Sequence, residues 1–153
     1  VCGSAPGFGT VYAVRAAGNL RVAEERSEAG ASEVRMFQET GAPALPALFL
    51  LGSGKTSELV MFTGSRDGLC SVHSPLKYAH QRSETAQPLI RLRCGENGEF
   101  FLLLAGTFRP DAQTGNYRLS FIAEKSGKVV TAQAEAAPRG CTDIGKLKFA
   151  GGK

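Results

Sequence analysis

Short apolar runs, each stopped by a glycine or proline within about 8–15 residues, restrict this chain more than any other feature. Residues 10–15 (TVYAVR) are β-branched and aromatic, with Val11, Ala13 and Arg15 on one face and Tyr12 and Val14 on the other. The same texture predicts strands at 33–38 (EVRMFQ), 48–51 (LFLL), 59–63 (LVMFT), 89–94 (LIRLRC), 100–105 (FFLLLA), 117–123, 128–133 and 146–149. Residues 20–29 (LRVAEERSEA) fit either a strand with a charged turn or a short helix carrying Glu24, Glu25 and Glu28. Pro43 and Pro46 break any helix across GAPALPA. Turn signals separate the runs at Gly52-Ser53-Gly54, Arg66-Asp67-Gly68, Glu96-Asn97-Gly98, Thr114-Gly115-Asn116 and Ser126-Gly127. The result is about ten short strands with no strand–helix–strand alternation, which predicts an all-β antiparallel sandwich or barrel.

At 153 residues the chain is read as one domain, 1–153, fraying from about residue 150. It begins at Val1, which is read as the mark of a removed leader or a fragment. Cys2, Cys70, Cys94 and Cys141 are an even set with no CxxC pair, which fits two disulfides in an oxidising compartment. The alternative is four reduced, buried thiols. Cys2–Cys141 would tie the N-terminal segment to the last strand, and Cys70–Cys94 would close a loop of about 24 residues, worth roughly 3 kcal/mol. The other two connectivities stay open. A net charge of +4 without a Lys or Arg run longer than two does not call for nucleic acid. No stretch approaches the roughly 20 apolar residues of a spanning helix, so direct membrane insertion is not expected.

The chemistry-bearing motifs are weak. Gly52-Ser53-Gly54-Lys55-Thr56 suggests a phosphate loop, but the position that should hold the first glycine is Phe49, and a strand follows where a helix is needed. Cys70-x-x-His73 with His80 and Cys94 offers zinc-ligand types at irregular spacing, and a disulfide explains the cysteines more simply. His73 and His80 are then loop residues. With no G-x-S-x-G elbow and no marked carboxylate pair, neither catalytic residues nor a cofactor or metal is expected. Arg91 and Arg93 alternate with Ile90, Leu92 and Cys94, which predicts a polar face that is solvated or meets an anionic ligand. The runs 48–51 and 100–104 are apolar on both faces, where a half-buried strand should alternate. A second layer of the chain, such as 20–29, or a protein partner must cover the outer face. Leu48, Leu50, Phe101 and Leu103 are therefore candidate partner-binding residues. Phe101 and Leu103 are assigned outward, and Phe100, Leu102 and Leu104 inward.

The number of strands over this length resembles a galectin-type jelly-roll sandwich. The alanine-, glycine- and arginine-rich texture, the four cysteines and the stretch VVTAQAEAAPRGCTDIGKLKF are similar to secreted microneme proteins of apicomplexan parasites. Within them, the chain resembles the galectin-like β-domain that associates with a thrombospondin-repeat adhesin. That resemblance implies a non-enzymatic partner or escort of a transmembrane adhesin in host-cell attachment and invasion. It also implies a location in a secretory organelle (the microneme) and at the cell surface. Galectins bind galactosides through H-x-N-P-R and a stacking tryptophan. Here His73-Ser74-Pro75-Leu76-Lys77 lacks the asparagine and arginine, and the chain has no tryptophan. Galactoside binding at that site is therefore not expected, although a carbohydrate-binding lectin domain is the second reading of the chain. A bacterial surface or pilus adhesin subunit is the third.

Overall fold

A computed structural model describes residues 1–15, 19–38, 45–104, 108, 110–137 and 142–150. The protein is all-β. The described residues form fourteen strands: β1 (Cys2–Ser4), β2 (Thr10–Val14), β3 (Leu20–Val22), β4 (Arg26–Ser27), β5 (Glu33–Gln38), β6 (Ala47–Leu51), β7 (Glu58–Arg66), β8 (Leu69–Val72), β9 (His80–Gln81), β10 (Thr85–Arg93), β11 (Glu99–Phe101), β12 (Tyr117–Lys125), β13 (Lys128–Ala136) and β14 (Asp143–Lys146). A 3₁₀ turn, Gly54–Thr56, joins β6 to β7. The span read as one domain holds two compact units, Val1–Ala16 with Ile90–Lys153, and Ala17–Leu89. Strand β10 runs through the boundary between them.

The first unit contains a small sheet in the order β11-β1-β14 and a run of strands in the order β13-β12-β2-β10. Both contribute to one core, in which Phe100 from β11 meets Phe121 from β12 with ring centroids 5.4 Å apart. The β12–β13 hairpin closes through Ser126 (φ 54°) and Gly127 (φ 77°). Two successive positive φ values make a turn whose twist matches the flanking strands. The β1–β11, β12–β13 and β12–β2 pairs are antiparallel, whereas β1 and β14 run parallel. The last strand expected at 146–149 instead lies at Asp143–Lys146.

In the second unit the strands close on themselves. β10 pairs with β3, then β5, β8, β7 and β6 follow, and β6 pairs back to β10. Ala86 marks the seam, opposite Leu20 on one side and Leu51 on the other. Closure removes the free edges that an open sheet would carry. The barrel interior is filled by alternate residues, including Val22, Val34, Phe49, Leu51, Val60 and Phe62. The Phe49 and Phe62 rings meet at a tilt, with centroids 5.1 Å apart. Residues 20–29, open between strand and helix from sequence, form β3 in the barrel wall and β4, which pairs with β9 as a separate ribbon.

Candidate functional site

Phe101 at the end of β11 and Leu103 just beyond it are the most exposed large apolar side chains among the described residues. Along the end of this strand and on through the residues that follow it, burial alternates: Phe100 and Leu102 are 5% and 2% exposed, whereas Phe101 and Leu103 are 58% and 72% exposed. The alternation follows from the two-residue period of an extended chain. The parity assigned from sequence therefore holds for these four. It does not extend to the other run, where Leu50 is buried and Leu48 only half-buried. Leu50 is therefore withdrawn as an exposed contact residue.

The backbone of this edge is oriented as well. Leu102 donates to the Val1 carbonyl (2.8 Å), and the Val1 amino group donates back to the Leu102 carbonyl (3.0 Å). In an antiparallel pair, neighbouring residues then point their N–H and C=O groups the other way. Phe101 and Leu103 thus direct backbone groups away from β1, and β11 has β1 as its only strand neighbour among the described residues. The outer face of this small sheet is a groove of about 630 Å³. Its floor is the small side chains of β1. Phe101 stands on one flank, opposite Cys2, and Lys146 on the other, opposite Ser4. Arg93 also lines the groove. Arg91 and Arg93 are both exposed while Leu92 between them is buried, as the alternation required.

The cysteines are placed differently from the expectation. The Cys70–Cys94 bridge is absent, and both residues are free thiols. Cys70 on β8 belongs to the barrel core, and Cys94 packs against the core of the first unit. Burial pushes both thiols above their ordinary pKa, with the Glu99 charge adding to the effect at Cys94. Cys141, and with it the Cys2–Cys141 pairing, lies outside the described residues. The Gly52–Thr56 segment is an exposed turn that leads into strand β7.

A polar cluster in the barrel unit was missed from sequence. His80, read as a loop residue, is fully buried between two carboxylates. Its Nε2 lies 2.7 Å from Glu58 Oε2 and its Nδ1 lies 3.0 Å from Glu84 Oε1. Only the doubly protonated imidazolium can donate to both. Glu58 also accepts from the N–H groups of Lys77 (2.8 Å) and Tyr78 (3.0 Å), and Glu84 accepts from the N–H of Gln81. Burial alone would lower the His80 pKa. The hydrogen bonds to Glu58 and Glu84, together with their charges, outweigh it, and the net shift is upward.

Gly52 makes room for this cluster. It sits at φ +84°, and a Cβ there would fall 2.9 Å from Glu84 Oε1 and 3.1 Å from the His80 ring. Chemically the cluster is a clamp. Both imidazole nitrogens are engaged and the ring is sealed from solvent, so it holds the 77–81 segment to β7 rather than meeting a substrate. One signal was available: Glu58 falls in register with the inward Val60 and Phe62.

No family model, curated protein or solved structure matches this chain.

Proposed function

We propose that this chain is a non-enzymatic protein-binding β-module whose partner lays an extended segment along the outer edge of β11. The observation that carries the reading is the exposure of Phe101 and Leu103 on an edge whose outward backbone groups can pair with an added strand. Main-chain hydrogen bonds would supply register, and the two apolar side chains would supply most of the affinity. Arg93 and Lys146 line the groove beside Phe101 together with Glu99 and Asp143, so a partner segment of mixed charge fits it better than one of a single sign. The resemblance to microneme proteins supplies a first candidate, the ectodomain of a thrombospondin-repeat adhesin, and with it a secretory setting.

The test is amide hydrogen exchange on the full chain, with and without that ectodomain. Binding should protect the amides of Phe101 and Leu103 and leave the barrel amides unchanged. Leu103→Ser should weaken binding at least about 30-fold, the equivalent of losing roughly 2 kcal/mol at an interface hot spot. Binding that protects another surface, or that survives Phe101→Ser and Leu103→Ser unchanged, would overturn the proposal.

A further inference from the structure

The outer wall of the barrel carries a second, chemically different site. Between β3 and β10 lies a pocket of about 480 Å³ lined by Asn19, Arg21, Ser53, Glu84, Thr85 and Gln87, among others. Strand register brings these groups together. Arg21 stands opposite Thr85 and Leu20 opposite Ala86, with Asn19 and Gln87 the next residues along the two segments. Their neighbours Leu20 and Ala86 point into the barrel core, so the polar set faces outward.

Three observations restrict what the pocket can take. No aromatic or aliphatic side chain lines it, so it offers no surface for a planar ring or an apolar ligand. Its two formally charged groups, one of each sign, are held in place by the protein. Arg21 donates to the Ser83 carbonyl (2.8 Å), and both oxygens of Glu84 are held by His80 and Gln81. Arg21 and Glu84 carry opposite charges, so a strongly ionic ligand would meet no net charge in the lining. The third is Asn19: its Oδ1 is shielded from solvent and has no hydrogen-bond partner. A buried acceptor left without a donor is destabilising, and such groups are rare in folded proteins.

We infer that this pocket binds a neutral polyhydroxylated ring, a pyranose or a cyclitol, with one hydroxyl donating to Asn19 Oδ1. Thr85, Ser53 and Gln87 each offer both a donor and an acceptor, as does a ring hydroxyl. The volume accommodates one or two such rings. The Glu58–His80–Glu84 clamp gives the pocket a rigid back wall by fixing the Glu84 carboxylate. The site is separate from the β11 edge, so each stands or falls without the other.

The full ¹⁵N-labelled chain is titrated with glucose, mannose, N-acetylglucosamine and myo-inositol, and probed on an array presenting the same rings at glycan termini. At least one ring, free or terminal, should bind saturably, with a dissociation constant of about 1–10 mM for the free form. The shifts should centre on Asn19, Ser53, Thr85 and Gln87. Asn19→Leu should weaken that binding at least tenfold while leaving the ligand-free unfolding midpoint equal to or above wild type. A structural asparagine would show the opposite, a lowered midpoint with affinity unchanged. Thr85→Val, which preserves shape and strand propensity, should also weaken binding. No saturable response to any ring in either format, or responses confined to other surfaces, would overturn the inference.

Discussion

Replacing His80 with leucine isolates the energetic role of the buried clamp. In the wild-type protein the His80 ring has no exposed surface and Glu58 is 4% exposed, so their hydrogen bond at 2.7 Å is shielded from water and salt. Leucine keeps the volume of the ring but removes both donors. Glu58 is then left as a buried carboxylate held only by the N–H groups of Lys77 and Tyr78. Breaking a buried ion pair from one side costs about 3–5 kcal/mol, because the remaining charge is stranded. That is a large share of the about 5–15 kcal/mol available to a folded domain.

The cost should depend on pH. His80 has a folded-state pKa raised above the ordinary 6.5. Its contribution is therefore fully present below about pH 6.5 and is lost as pH rises through the raised folded value. Urea unfolding of both proteins, followed by circular dichroism and by hydrogen exchange at the Val60 and Phe62 amides, measures this directly. His80→Leu should be less stable by about 3–5 kcal/mol near pH 6, with the gap closing in alkaline buffer. A loss below about 1 kcal/mol near pH 6, or a gap that widens with rising pH, would refute the reasoning.

Three further outcomes follow from the geometry. Alanine at Phe100 or Leu102 should cost about 2–5 kcal/mol in denaturant unfolding, whereas Leu103→Ser should stay within about 0.5 kcal/mol of wild type. Equal losses from the two sets would mean the strand is buried on both faces. Gly52→Ala forces a side chain into a positive-φ position against Glu84 and His80. It should destabilise by more than about 1 kcal/mol, and an unchanged unfolding midpoint would contradict the close approach. Cys70, 3% exposed and with its pKa raised, should react with a thiol reagent only on unfolding. Labelling in native buffer at the rate of a free thiol would place it outside the barrel core.

Local pattern made much of the fold legible. The strand at 33–38 matches β5 to the residue, and the turns at Asp67-Gly68 and Ser126-Gly127 fall where glycine permits positive φ. The outward parity of Phe101 and Leu103 was legible for the same reason, since it depends only on an alternation of two. Features set by distant pairing were not legible. Strand β1 is three residues long and exists because β11 and β14 flank it. Its central Gly3 has no strand propensity, but a Cβ there would lie 2.8 Å from Ile144. Barrel closure rests on Ala86 pairing with both Leu20 and Leu51, contacts across long sequence separations that no local window contains. The clamp was hidden similarly: Glu58 and His80 lie 22 residues apart and meet only when β9 is laid beside the barrel.

A photo-crosslinker placed in turn at positions 101, 103 and 61 of the full chain tests the proposed binding face most directly. Met61, 37% exposed on strand β7 of the barrel, serves as an exposed apolar control that is no part of the proposed edge. With the thrombospondin-repeat ectodomain present, irradiation should give a stoichiometric adduct from positions 101 and 103 and none from position 61. Adducts that form equally from all three positions, or from position 61 alone, would contradict the assignment of the β11 edge as the partner surface.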